Sequence, residues 1–105
     1  MKSTGIVRKV DQLGRIVIPK ELRKTLGVAE GYDSMEIYIE NSNIFLVKYD
    51  ETGDSSGVVR GVDQLGRIVL PIELRRILDI EEERDSLEIF TEENKIILKK
   101  YEPSC

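Results

Sequence analysis

Apolar residues along this chain first fall into a period of two. From Gly5 to Val10, Ile6 and Val10 share a face with Arg8, while Val7 and Lys9 take the other, which is the pattern of a short strand. The alternation breaks at Asp11-Gln12-Leu13-Gly14-Arg15, a tight turn in which Gly14 can adopt positive φ without steric cost. Ile16-Val17-Ile18 then resumes a strand, so the segment predicts two neighbouring strands with Arg15 near the loop tip. The spacing next becomes helical. Pro19 suits the first helical position, Glu21 the first turn and Gly27 the end. Leu22 and Leu26, four apart, face inward and leave Lys20, Arg23 and Lys24 on the more exposed side. Ser34 to Glu40 and Ile44 to Tyr49, joined by a turn at Asn41-Ser42-Asn43, predict a hairpin of two longer strands.

The pattern then repeats. Residues 57–101 match residues 5–49 without a gap, with 26 of 45 paired positions identical. The match is strongest where Val10 to Arg23 returns as Val62 to Arg75. Leu74 and Leu78 repeat the inward pair, Arg75 and Arg76 the exposed one, and Ser86 to Tyr101 the hairpin. Asp79 stands where the first copy has Gly27, a substitution that a left-handed cap tolerates at some cost. Each half reads β-β-α-β-β, so the fold class is mainly β, eight strands and two short helices arranged as a barrel or sandwich. A module this small buries too little apolar surface to stand comfortably alone. The two copies are therefore expected to form one shared-core pseudo-dimer, with a first repeat at 1–49, a linker at 50–54 and a second repeat at 55–105. Tyr49, Tyr101, Tyr38 and Phe90 are assigned to core and interface filling.

Composition narrows the chemistry. At 105 residues, 40% hydrophobic and 34% charged, the chain suits one compact soluble domain. It has no apolar run long enough to span a bilayer and no signal-peptide pattern, which makes the cytoplasm the default location. With no histidine, the commonest general base and transition-metal ligand is missing, and the acidic clusters Glu81-Glu82-Glu83 and Glu92-Glu93 read as solvated charge. No enzyme, metal site or cofactor is expected. Asp50-Glu51-Thr52-Gly53-Asp54 lacks the ligand spacing of a calcium loop, and the single cysteine, Cys105, reads as an incidental thiol.

The formal net charge of −4 argues at first against nucleic acid, but its distribution is polar. Residues 1–28 carry seven bases against two acids, net +5, and residues 55–78 carry four against two, net +2. The acids concentrate at 29–54, net −6, and 79–105, net −5. A pseudo-two-fold axis would gather the basic segments onto one face. Arginine recurs at three matched positions, Arg8/Arg60, Arg15/Arg67 and Arg23/Arg75, and its planar fork suits phosphate and base-edge contacts.

The segment Val-Asp-Gln-Leu-Gly-Arg-Ile-Val-Ile/Leu-Pro-x-Glu-Leu-Arg, with the preceding Ser-Thr-Gly-Ile-Val-Arg-Lys, resembles the N-terminal DNA-binding domain of AbrB-type bacterial transition-state regulators. The likeness covers residues 1–49 and again 53–101. It implies a swapped-hairpin β-barrel in which two β-β-α-β-β units interleave. It also implies binding to double-stranded DNA, AT-rich or deformable, by shape rather than by strict sequence. Carried over position by position, the DNA-contacting candidates are Arg8, Arg15, Arg23 and Lys24, then Arg60, Arg67, Arg75 and Arg76. Lys9 has become Gly61 and Lys20 has become Ile72, so the second half should grip phosphates less firmly. If all eight matched basic residues met phosphates, log K would fall with log salt at a slope of about −7.

Two other readings compete. MazE-like antitoxins resemble the same domain and capture a toxin through a long extension after the barrel; only Glu102-Pro103-Ser104-Cys105 follows Tyr101 here, which disfavours that role. An engineered single-chain scaffold would leave the matched arginines without a purpose. Further homo-oligomerisation by hairpin exchange between chains stays open.

Overall fold

In a computed structural model describing residues 1–51 and 57–102, the expected element order appears twice. The first copy comprises β1 (Lys2–Lys9), β2 (Arg15–Val17), α1 (Lys20–Leu26), β3 (Ser34–Glu40) and β4 (Asn43–Lys48). The second comprises β5 (Val58–Gly61), β6 (Arg67–Val69), α2 (Ile72–Ile77), β7 (Ser86–Glu92) and β8 (Lys95–Lys100). The linker expected at 50–54 lies partly outside the described residues, and Cys105 lies wholly outside them.

Hydrogen bonding interleaves the copies. β1 pairs antiparallel with β7, β5 with β3, and β4 with β8, giving a six-stranded sheet in the order β1-β7-β8-β4-β3-β5. β2 pairs with β6 in a separate two-stranded ribbon. The first strand of each repeat therefore extends the hairpin of the other repeat. Within a repeat, β1 and β2 are joined by the predicted tight turn but do not form the ladder that their proximity suggested. The reason is length, because β2 offers three residues, whereas β7 offers seven to the eight of β1. The ladders form two sheets, so hydrogen bonding among the described residues does not run round a closed barrel.

One apolar cluster draws on both repeats. Val10, Ile16, Ile18, Met35, Ile37, Ile44 and Leu46 meet Val62, Ile68, Leu70, Leu87, Ile89, Ile96 and Leu98, all nearly inaccessible to water. Ile16 and Ile68, directly opposite each other in the ribbon, turn inward, which sends Arg15, Val17, Arg67 and Val69 to its outer face. The helices pack Leu22, Leu26, Leu74 and Leu78 against the same cluster. The aromatic residues contribute less to it than expected. Tyr38 stacks on Phe45, centroids 5.2 Å apart, outside the main cluster, and Tyr101 is exposed.

Pro19, expected at the first helical position, and its counterpart Pro71 instead cap α1 and α2 from outside, with ψ of 139° in the extended region, while Gly27 ends α1 as expected, left-handed at φ 70°. Asp79 takes the same conformation at φ 55° after α2, and the bonds from Gly27 N and Val28 N to Lys24 O and Arg23 O recur from Asp79 N and Ile80 N to Arg76 O and Arg75 O. An aspartate thus occupies a backbone position that glycine adopts without strain.

Candidate nucleic-acid interface

The turns that lead into the ribbon are built by their own side chains. Asp11 Oδ1 accepts hydrogen bonds from Leu13 N at 3.0 Å and Arg15 N at 2.7 Å, an arrangement that holds the turn in one shape. Its other oxygen, Oδ2, accepts from Arg15 Nε at 2.8 Å. Asp63 repeats all three bonds with Leu65 N, Arg67 N and Arg67 Nε. Burial pushes the Asp11 carboxyl upward, but the Arg15 backbone N–H, the Arg15 guanidinium and the Leu13 N–H outweigh it and hold the carboxyl below its usual value. At Asp63 the Arg67 backbone N–H leads the same lowering. Each aspartate thus stays ionised and aims an arginine whose side chain remains about one-quarter exposed, 25% for Arg15 and 27% for Arg67.

Arg23 and Arg75, expected on the exposed side of their helices, are instead buried at 9% and 8% accessibility. Arg23 Nε donates to Ile18 O at 2.9 Å and its Nη1 to Glu30 Oε2 at 2.8 Å. Its guanidinium lies against Gly66, the turn glycine of the other repeat, so closely that a Cβ there would come within 2.6 Å of the guanidinium carbon. Arg75 repeats this with Leu70 O, Glu82 and Gly14. The physical reason for the difference is reach. An arginine beside an inward leucine can lay its stem along the apolar flank and place its charge under a neighbouring backbone that lacks a side chain. Each helix therefore clamps the turn of the opposite repeat, and those turns carry Leu13, Arg15, Leu65 and Arg67.

The remaining candidates are exposed. Arg8 and Arg60 lie on β1 and β5, the two edges of the six-stranded sheet, in register with buried Leu87 and Met35. They escape burial because an edge strand has no neighbour on its far side. Since β1 turns directly into β2 and β5 into β6, both edges abut the ribbon. Lys24 and Arg76, in the last turns of their helices, also face solvent. Arg15 and Arg67 thus lie on the ribbon itself, Arg8 and Arg60 on the strands that lead into it, Lys24 and Arg76 on the exposed last turns of the helices, and Arg23 and Arg75 against the turn glycines. Sequence reasoning passed over the four acids Asp11, Glu30, Asp63 and Glu82 that hold the arginines; their identity at matched positions was the available signal. A broad groove lined by Leu26, Lys48, Tyr49, Asp50, Glu51 and Glu93 contains none of the eight candidates. No helix among the described residues is long and apolar enough to cross a membrane.

Comparison with known proteins agrees with the duplicated architecture. The chain resembles in fold the solution structure of PHS018 from Pyrococcus horikoshii, with a TM-score of 0.52 and 24% identity, the match covering 100% of both chains. The chain is 67% identical over 49 residues to the transition state regulatory protein AbrB of Bacillus subtilis, covering 47% of this chain and 50% of AbrB. It is 46% identical over 76 residues to the stage V sporulation protein T of the same organism, covering 67% of this chain and 42% of that protein. The chain spans about half the length of these curated relatives, or less. The family described as "Antidote-toxin recognition MazE, bacterial antitoxin" matches residues 7–54 and again 59–105, each match beginning within the first strand of a repeat. With that match over both repeats and with AbrB among its relatives, the chain belongs to the MazE/AbrB family of regulatory, non-enzymatic proteins, present here as a tandem duplication.

Proposed function

We propose that this chain is a double-stranded DNA-binding domain of a transcriptional regulator, its two repeats forming a single shared-core unit. The observation that carries the proposal is the outer face of the β2–β6 ribbon. Two arginines, each aimed by an ionised aspartate, project there from a backbone clamped by the opposite helix. Arg8, Arg15, Lys24, Arg60, Arg67 and Arg76 contact phosphates and groove edges. Arg23 and Arg75 act from below by holding the turns. Such a surface reads shape and deformability, for it offers no recognition helix to the major groove. AT-rich or easily deformed duplexes are the proposed partners, met in the cytoplasm. The transition-state regulatory role named for AbrB supports the reading.

With six phosphate contacts, log K falls with log salt at a slope of about −5. The Arg15→Ala/Arg67→Ala variant should lose about 2 of that slope. A parent slope near zero on duplex DNA refutes the proposal. The family description favours one other reading, recognition of a toxin protein. Retention of a toxin at micromolar concentration by a protein that ignores duplex DNA at low salt would support it.

A further inference from the structure

Leu13 and Leu65 are among the most exposed large apolar residues of the described chain, at 63% and 66% accessibility. Singly, an exposed leucine needs no explanation. These two occupy matched positions, at turn tips where a polar residue would cost nothing, and each sits two residues from the arginine that its turn presents. The tips are rigid. Leu13 N and Leu65 N are bonded to Asp11 and Asp63, and the following glycines lie over Arg75 and Arg23. Val17 and Val69, 40% and 38% accessible, continue the apolar surface along the ribbon between the arginines.

Resting on the DNA-binding reading, we infer that Leu13 and Leu65 are paired wedges that enter the duplex between base steps, unstack them partially and bend it. Apolar side chains used in this way need a stiff support and nearby cations that hold the phosphates on either side of the opened step. Each tip is stiffened by its aspartate bonds and stands two residues from an arginine. The spacing also suits a duplex. The bonds from Ile18 N to Gly66 O and from Leu70 N to Gly14 O place the two turn glycines four strand residues apart along the ribbon. At about 3.4 Å per residue this is roughly 14 Å, and the leucines, in the turns just beyond these glycines, are roughly 14–20 Å apart. With base pairs stacked about 3.4 Å apart, the wedges address two steps separated by about four to six base pairs. Pyrimidine–purine steps, which unstack most easily, are the favoured positions. The chain would therefore select a pair of flexible steps at a set distance without hydrogen-bonding to their bases.

The test uses a short duplex carrying 2-aminopurine at successive positions and a donor–acceptor dye pair at its ends. The full chain is compared with a Leu13→Ala/Leu65→Ala variant whose melting temperature is checked against the parent. The parent should raise 2-aminopurine emission severalfold at two positions four to six steps apart and shorten the end-to-end distance. It should also prefer duplexes with TA or CA steps at that spacing over a stiff A-tract by about tenfold. The variant should keep the salt slope and lose the emission rise, the bend and the preference. A parent that binds without unstacking, or a variant that unstacks equally, overturns the wedge while leaving the binding reading intact. Failure of the parent to bind any duplex at low salt overturns both.

Discussion

Replacing Gly14 with alanine should be one of the costliest single-atom changes in the molecule. Two effects add. Gly14 sits at φ 79°, where an L side chain costs about 1 kcal/mol or more. A Cβ there would also lie 2.5 Å from the guanidinium carbon of Arg75, 2.7 Å from Nη2 and 2.9 Å from Nε. The arginine is not a free end that can swing away, because Nε is bonded to Leu70 O and Nη1 to Glu82, and the side chain is buried. Displacing it leaves Leu70 O without its donor, at about 1–3 kcal/mol. The total is about 3 kcal/mol, or a fall of about 15 °C in melting temperature for a domain of this size. Gly5 provides the control, since it has a similar φ of 74° but nothing within 4 Å of its virtual Cβ. Gly5→Ala should cost only the backbone share, about 1 kcal/mol. Thermal melts followed by circular dichroism on both variants, and on Gly14→Ala in an Arg75→Ala background, separate the two effects. In that background the clash is gone, and Gly14→Ala should cost no more than Gly5→Ala. If Gly14→Ala and Gly5→Ala destabilise the parent equally, the arginine clamp does not contribute as argued.

Other expectations concern the same elements. Arg23→Ala should destabilise by about 2–3 kcal/mol by stranding Ile18 O, whereas Arg15→Ala, partly exposed, should cost under about 1 kcal/mol while weakening DNA binding; equal melting temperatures for the two variants would contradict the division of roles. Asp79→Gly should stabilise by about 0.5–1 kcal/mol, since glycine occupies the left-handed position at φ 55° without strain, and a chemical melt showing no gain would count against it. Because Asp11 and Asp63 are held below the ordinary aspartate value of 3.8, their charges add stability that is fully present above that value and is lost as pH falls through the lower folded value. The melting-temperature gap between the parent and an Asp11→Asn/Asp63→Asn variant should therefore be constant near neutrality and narrow below about pH 4. A gap that does not change with pH would mean that hydrogen bonding alone, not charge, holds the turns.

Much of this architecture was legible where the signal was local or repeated. The alternation at Ile6 to Val10, the glycine turn at Gly14, the proline before each helix and the Asn41-Ser42-Asn43 reversal mark elements whose preferences depend on near neighbours. The duplication marked where the second set of elements begins. What the periodicity could not show was partner choice, because β1 and β2 are adjacent in sequence yet each pairs with a strand of the other repeat. The same limit explains Arg23 and Arg75. A helical wheel places them beside the inward leucines but says nothing of a bare glycine backbone that arrives from the other copy. By sequence Glu30 and Glu82 likewise belong to an acidic background, yet each is the anion that lets an arginine be buried. Lys24 and Arg76 are exposed and Arg15 and Arg67 partly so, as a last helical turn and a ribbon face dictate locally, whereas Arg8, which the alternation sets on the face of Ile6 and Val10, is exposed because its strand is a sheet edge.

Whether the ribbon is the docking face is tested most directly by amide chemical-shift mapping of the isotope-labelled chain during titration with a short AT-rich duplex. The largest shifts should cluster at Arg8, at 12–17, at Lys24 and at the matched 60, 64–69 and 76, and fade as salt is raised. Shifts confined to the acidic groove around Lys48, Glu51 and Glu93, or spread evenly over the surface, would contradict it.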